Sequence, residues 1–189
     1  MNSENYKNRY RTQTTRAEWW DYGACAYYFI TILTEGRVIY FGSCEDGIRI
    51  LSEIGSEVEN CWLQIPQHFE IAVPMESVVM PNHFHGIIKL KLPSADVHHA
   101  GNLFENAFLE NIIKPKANEF GPQSQNLASV IRGFKIGVTK YARKMNLEFN
   151  WHPRYHDRVI RDEKELQNVR HYIKQNPKNW SEDEFFSKH

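Results

Sequence analysis

The chain has few cysteines, no long apolar run and no net charge, and each absence argues against a class of protein. Its 189 residues include three cysteines, an odd number without a Cys-x-x-Cys pair, which fits a reducing cytosol and not a disulfide scaffold. No apolar stretch reaches the roughly 20 residues of a transmembrane helix, and residues 1–6 lack a signal-peptide core. We therefore expect a soluble, cytoplasmic protein.

The charge balance limits how the chain can bind a polyanion. Lysine and arginine number 23, as do aspartate and glutamate. A basic coat over the whole surface is therefore absent, and a nucleic-acid site has to come from local clustering. The 41% hydrophobic and 13% aromatic content is typical of a globular chain and argues against a disordered tail.

At this length we expect one domain with appended segments. We assign an N-terminal arm to residues 1–22, the domain to 23–180 and a C-terminal tail to 181–189. Within the domain, residues 93–125 are rich in turn-forming residues and include His98-His99. A stretch of that length inside a domain indicates an insertion or mobile loop, with a short helix at about 103–113.

Hydrophobic periodicity predicts about five strands and three helices. Strands are expected at 24–34 and 37–42, joined as a hairpin, and at 69–73, 78–92 and 157–161. Helices are expected at 45–64, 127–145 and from the Asp162 N-cap to Asn176. The order indicates an α+β fold in which an antiparallel sheet carries helices on one face, in a ferredoxin-like βαββαβ arrangement.

The segment His83-Phe84-His85 follows a Pro81-Asn82 turn signal in this β-rich region. Side chains alternate along a strand, so His83 and His85 project to one side. Two imidazoles on one face can offer nitrogens to one divalent metal. The simpler interpretation is two surface histidines, and for a bare His-x-His motif that interpretation carries most of the weight.

The last predicted helix adds Tyr172 and Asn176, one helical turn apart. Both flank the apolar stripe of this helix, so we expect them at a partly exposed rim where helix meets sheet. There a nucleophile and a metal ligand could face the two histidines. A tyrosine beside an apolar stripe is more often an ordinary core-edge residue, so spacing alone leaves the functional interpretation in the minority.

Four segments in this order resemble the single-tyrosine HUH transposases, most nearly the REP-associated tyrosine transposases. The resemblance spans about residues 24–180 and rests on Met80-Pro81-Asn82-His83-Phe84-His85-Gly86, Gly133-Phe134-Lys135, Trp151-x-x-x-Tyr155-His156-Asp157-x-Val159-Ile160-Arg161 and Tyr172-Ile173-x-x-Asn176-Pro177.

The resemblance implies the ferredoxin-like HUH fold, a divalent Mg²⁺ or Mn²⁺ ion, and single-stranded DNA with hairpins as partner. It implies His83, His85 and Asn176 as metal ligands and Tyr172 as the nucleophile, which forms a 5′-phosphotyrosine during strand transfer. Many relatives have glutamine in place of this asparagine, and both residues offer an amide oxygen. A DNA enzyme of this kind would be associated with the nucleoid. The oligomeric state stays open, with a homodimer as one arrangement.

Two other tyrosines compete with Tyr172 as nucleophile. Tyr141 falls within the apolar stripe of the helix at 127–145, which predicts burial. Tyr155 lies just before a strand and beside His156, where it could bind DNA or support the site.

The other face of the helix at 127–145 carries basic residues without an intervening acid. It is either a solvated surface or a phosphate-binding stripe, to which nearby aromatic residues could add base stacking. The predicted DNA-binding residues are Arg132, Lys135, Arg143, Trp151 and Tyr155.

Three functions remain open at this stage. The first is metal-dependent cleavage and strand transfer of single-stranded DNA. The second is hairpin DNA binding by a domesticated protein that has lost catalysis. The third is a small metal-dependent hydrolase built on the two histidines. A covalent protein–DNA adduct separates the first from the others.

Overall fold

The computed structural model describes residues 25–91 and 126–186. The predicted N-terminal arm, the insertion at 93–125 and His98-His99 lie outside the described residues. The elements are β1 (Tyr27–Leu33), β2 (Gly42–Glu45), β3 (Ile48–Leu51), α1 (Glu53–Leu63), α2 (Ile65–His68), β4 (Ala72–Met80), β5 (His83–Leu90), α3 (Leu127–Lys144), β6 (His156–Ile160) and α4 (Glu163–Gln175), with short 3₁₀ turns at Glu35–Arg37 and Trp180–Glu182.

Four strands form one antiparallel sheet in the order β4-β5-β1-β6. Strand β1 is central and pairs with β5 on one side and β6 on the other. Taken with the helices between the strands, this order is that of a ferredoxin-like βαββαβ sheet. The predicted α+β fold is therefore confirmed.

The sheet is covered on both faces. Helices α1 and α3 bury one face through a core that includes Trp62, Phe84 and Phe134. Helix α4 covers the opposite face, where Leu166, Val169 and Ile173 pack with Ile87 and other sheet residues. The prediction of helices on one face thus holds for α1, α2 and α3 but not for α4. Because side chains alternate along β5, its apolar residues face both sides of the sheet, and α4 buries those on the second side.

The helix ends follow their sequence signals. Asn126 caps α3 by accepting a hydrogen bond from the backbone N–H of Ser129. Asp162 caps α4 in the same way, accepting from Glu165 at 2.7 Å. Helix α4 ends at Gln175, before Asn176 and Pro177, as expected from the steric effect of proline on the preceding residue.

Residues 37–51 differ from the prediction. Strand β1 does not form a hairpin with 37–42, because a 3₁₀ turn leads into a separate two-stranded sheet of β2 and β3. Ile48 and Leu51 therefore belong to a strand, and the helix begins only at Glu53. Gly55 is inside that helix for packing reasons, since a Cβ there would lie 2.2 Å from the backbone oxygen of Phe41.

Candidate active site

The two histidines begin strand β5, directly after the two-residue Pro81-Asn82 turn that joins it to β4. Phe84 points into the core under α1 and α3, so His83 and His85 point to the face covered by α4. Their rings are 4.6 Å apart. Both are buried, His83 with 0% and His85 with 2% exposure, which argues against the simpler interpretation of two surface histidines.

Each imidazole is oriented through its Nδ1 atom. Nδ1 of His83 lies 3.0 Å from Oδ1 of Asn82, and the Asn82 amide nitrogen donates to the carbonyl of Phe185 at 2.8 Å. The amide oxygen can only accept, so His83 Nδ1 carries the proton and Nε2 presents its lone pair. Nδ1 of His85 lies 2.8 Å from the Thr31 hydroxyl, which can donate to this nitrogen or accept from it. Such partners are those that orient metal-binding histidines.

Helix α4 brings Tyr172 and Asn176 to the same place. The Tyr172 hydroxyl lies 3.3 Å from Nε2 of His85, and Phe29 contacts both rings. Tyr172 is 42% exposed, as expected for a residue at the rim, whereas Asn176 is buried at 2%. The four residues predicted from the sequence therefore meet in one site, although their roles remain predictions.

Two buried polar atoms face this site without a partner. Among the described residues, nothing forms a hydrogen bond with Nε2 of His83 or Oδ1 of Asn176. An unpaired buried acceptor costs about 1–3 kcal/mol. A divalent cation would pair with both acceptors and with Nε2 of His85, so the donor set fits a metal ion.

A fourth potential donor was not found by sequence reasoning. Asp183 lies against the histidines, and ligand atoms of His83, His85 and Asp183 all lie within 4.8 Å of one another. Asp183 falls in the segment assigned to a C-terminal tail, where the acidic run Glu182-Asp183-Glu184 was the only available signal. The segment packs against the site, since the Phe185 ring lies 4.9 Å from that of His83.

Burial keeps both imidazoles neutral. It lowers the pKa of His83 to about 3, an effect that the Asn176 side chain partly opposes. It also lowers the pKa of His85 to about 3, assisted by His83 and opposed by Asp183. Neutral imidazole is the form that binds metal. The pKa of Tyr172 is raised to about 12, first by burial and then by the carboxylates of Asp183 and Glu184.

These pKa values predict how the metal-free protein responds to acid. Below pH 6.5 the unfolded chain binds protons at both histidines while the folded protein does not, so the free energy of unfolding falls as pH drops from 6.5 toward 3. At pH 5 the loss is about 2 kcal/mol for each histidine. Urea unfolding in EDTA at pH 7 and pH 5 measures it.

The control for this prediction is a comparison of variants. The double variant His83→Gln with His85→Gln should show a much smaller difference in the free energy of unfolding between pH 7 and pH 5 than the wild type. His156→Gln, at an exposed position on β6, should retain the wild-type difference. Equal pH dependence in the wild type and the double glutamine variant would show that the two imidazoles are not held neutral.

The rival tyrosines lie elsewhere. The Tyr141 hydroxyl donates to Glu53 at 2.8 Å, on the face of the sheet covered by α1 and α3. It is half-buried at the edge of its stripe. Tyr155 packs against the core on that same face. The sheet therefore separates both hydroxyls from the two histidines.

The five predicted DNA-binding residues do come together. They line one groove of about 640 Å³ along the outer side of α3 and the loop before β6. Arg132 and Arg143 are exposed. Lys135 is engaged, because its ammonium donates to the carbonyl of His152 at 2.7 Å and burial lowers its pKa. Trp151 is only 9% exposed and forms part of the core.

No helix within residues 25–91 and 126–186 combines the length and apolar character needed to span a membrane.

Comparisons with known proteins agree with this architecture. No protein-family model matches the chain. An uncharacterized protein of Haemophilus influenzae is 33% identical over 178 residues, which cover 92% of each chain. A solved structure of a REP-associated tyrosine transposase bound to a REP hairpin superposes with a TM-score of 0.54 at 17% identity, over 88% of this chain and 73% of that one.

A putative transposase from Deinococcus radiodurans covers 88% of this chain at 11% identity, but its TM-score of 0.37 is too low to support an argument. The fold predicted from the resemblance is confirmed by the 0.54 superposition. The chain belongs to one family with the Haemophilus influenzae protein, and it shares its fold with the solved REP-associated tyrosine transposase.

Proposed function

We propose that this protein cleaves and rejoins single-stranded DNA at hairpin-bearing sites, using a divalent metal and Tyr172. The observation that carries the proposal is the placement of the Tyr172 hydroxyl 3.3 Å from His85 Nε2, beside two buried acceptors that lack partners among the described residues. A nucleophile next to a set of metal-donor atoms is an arrangement suited to phosphodiester cleavage.

The residues divide the chemistry between them. His83, His85 and Asn176 would hold Mg²⁺ or Mn²⁺, which supplies charge neutralisation at the scissile phosphate. Tyr172 Oη attacks phosphorus and loses its proton, and the bond from phosphorus to the 3′ oxygen breaks. The products are a 5′-phosphotyrosine and a free 3′-hydroxyl, which takes up one proton. A 3′-hydroxyl can reverse the step without ATP, which permits strand transfer.

The raised pKa of Tyr172 sets a condition on this step. Burial, assisted by the nearby carboxylates of Asp183 and Glu184, raises the pKa of the phenol to about 12, so it does not ionise at neutral pH on its own. A divalent cation held by the histidines would offset the charge of both carboxylates and favour the phenolate. We therefore expect no reaction in EDTA.

The test is the detection of a covalent adduct. The protein is incubated with Mn²⁺ and a 5′- or 3′-labelled DNA strand that carries a hairpin, and the products are separated under denaturing conditions. The 3′ label should migrate with the protein, because it lies on the fragment whose 5′ phosphate is joined to Tyr172, whereas the 5′ label should stay on the free fragment. Mass spectrometry should locate the nucleotide on the peptide containing Tyr172. Cleavage without an adduct would favour the hydrolase.

The basic groove supports DNA binding as part of the same function. It lies on the face of α3, across the sheet from Tyr172, so a strand held there has to pass an edge of the sheet to be cleaved. Strand β6 forms such an edge. His156 on β6 lies opposite Thr31 in the strand register, and the Thr31 side chain contacts His85. The exposed imidazole of His156 therefore lies on the same face of the sheet as the two histidines, beside the edge that the DNA strand has to pass.

Replacing groove arginines should weaken DNA binding and reduce its salt dependence. Arg132→Gln and Arg143→Gln should each lower the slope of log affinity against log salt by about one unit, because each removes one phosphate contact. Lys135→Gln should also destabilise the fold, since its ammonium holds the loop at His152. Fluorescence anisotropy at several salt concentrations, with thermal unfolding, separates these effects.

The matched control for the groove is Lys164→Gln, at an exposed position outside the groove lining. Its slope should equal that of the wild type. Unchanged slopes in both arginine variants would mean that this face of α3 is merely solvated.

Hairpin DNA binding without cleavage is the second candidate. The groove and the high pKa of Tyr172 favour it. Salt-sensitive binding with no adduct in either Mg²⁺ or Mn²⁺ would establish it.

A further inference from the structure

The segment after α4 turns back onto the histidines and is fixed there by several contacts. Trp180 is buried and packs edge-on against Phe186. The carbonyl of Phe185 accepts a hydrogen bond from the Asn82 amide at 2.8 Å, and the Arg37 guanidinium lies over the Phe185 ring. The position of Asp183 therefore follows from the fold of the segment around it.

The carboxylate of Asp183 is aimed into the site from this segment. Its Oδ2 accepts from the Asn176 amide nitrogen at 3.0 Å, and its Oδ1 accepts from the backbone N–H of Phe185 at 2.7 Å. Each oxygen retains a second lone pair. Ligand atoms of Asp183 and both histidines already lie within 4.8 Å of one another, so small side-chain movements would bring them around one ion.

We propose that Asp183 is a ligand of the metal ion, in addition to His83, His85 and Asn176. The inference rests on the metal-dependent function proposed above. Two neutral imidazoles and an amide carry no net charge, and the hard cations Mg²⁺ and Mn²⁺ prefer oxygen donors. A carboxylate supplies the negative charge that the other three ligands lack, and it adds a second oxygen donor beside the amide oxygen of Asn176.

Asp183 also orients Asn176. Because the Asn176 amide nitrogen donates to the carboxylate, its oxygen is turned toward His83, where it has no partner among the described residues. Loss of the carboxylate would leave this amide free to rotate and present nitrogen to the metal. One carboxylate thus acts on the ion directly and through its neighbour.

The experiment measures Mn²⁺ affinity by electron paramagnetic resonance in the full-length protein. Asp183→Asn keeps the size of the side chain and an oxygen that can accept from Phe185. It should weaken Mn²⁺ binding about 10–100-fold without lowering the melting temperature in EDTA. Glu182→Gln, an exposed carboxylate one residue earlier, should bind Mn²⁺ as the wild type does. Adduct formation by Asp183→Asn should recover at correspondingly higher Mn²⁺.

Each outcome bears on a different claim. Wild-type Mn²⁺ affinity in Asp183→Asn, together with lost affinity in His83→Ala, would overturn the assignment of Asp183 and leave the proposed function intact. Faster adduct formation by Asp183→Asn at unchanged affinity would also overturn it, because the carboxylate would then obstruct the site. Absence of Mn²⁺ binding in the wild type would contradict both proposals.

Discussion

Tyr172→Phe is expected to abolish the covalent protein–DNA adduct while the folded protein still binds DNA. The substitution removes one oxygen atom from a side chain that is 42% exposed, and the ring keeps its edge contact with Phe29. The Thr31 hydroxyl also contacts His85, but it is buried and engaged with Nδ1, so it should not replace the nucleophile. The rate of adduct formation should therefore fall roughly 10³-fold or more. Anisotropy and thermal unfolding should remain close to those of the wild type.

The matched controls are the two other tyrosines. Tyr141→Phe loses the hydrogen bond to Glu53 and Tyr155→Phe changes the groove, but both should still form the adduct. A DNA-linked peptide that contains Tyr141 or Tyr155 would refute the assignment of Tyr172. An adduct that persists in Tyr172→Phe at the wild-type rate would do the same.

Removing the two histidines should eliminate metal binding and cleavage together. His83→Ala with His85→Ala deletes both nitrogen donors, so Mn²⁺ affinity should fall at least about 100-fold and adduct formation by about 10³-fold. Because the rings are buried, the change should also lower the free energy of unfolding. We expect the free energy of unfolding to fall by about 1–3 kcal/mol, because a cavity forms and because Asn82 and Thr31 lose their hydrogen bonds to the imidazoles.

Two measurements keep the stability cost separate from the chemical effect. Urea unfolding in EDTA gives the cost to the fold, and Mn²⁺-induced stabilisation, which mass action predicts for the wild type, should be absent in the double variant. His156→Ala removes an exposed imidazole from the same face and should retain both metal binding and cleavage. Full cleavage by the double alanine variant would exclude the histidines as ligands.

Local signals were sufficient for the elements that carry the site. The predicted strand at 78–92 is divided at its Pro81-Asn82 signal into the end of β4 and the whole of β5, and alternation placed His83 and His85 on one face. The N-cap at Asp162 and the stop at Pro177 bounded α4, so the spacing of Tyr172 and Asn176 on one helix could be predicted. These signals depend on neighbouring residues along the chain, which is why the sequence shows them.

Short strands were predicted less well. Strands β2 and β3 have four residues each, and among the described strands they pair with each other alone. Ile48 and Leu51 fit helical spacing as well as strand spacing, so periodicity over so few residues does not separate the two. Strand β2 also contacts β4, which lies well beyond it along the chain, and such a contact leaves no signal in the local pattern.

The sequence by itself determined the α+β class, the shared face of the two histidines and the helix that carries Tyr172. Only the tertiary structure decided that α4 covers the opposite face of the sheet from α3, and that Tyr172 and Asn176 meet the histidines there. It also decided that Asp183 joins them, and that the basic groove lies across the sheet. The reason is physical: periodicity fixes which side a residue occupies on its own element, whereas the contacts between elements depend on packing across many residues of intervening chain.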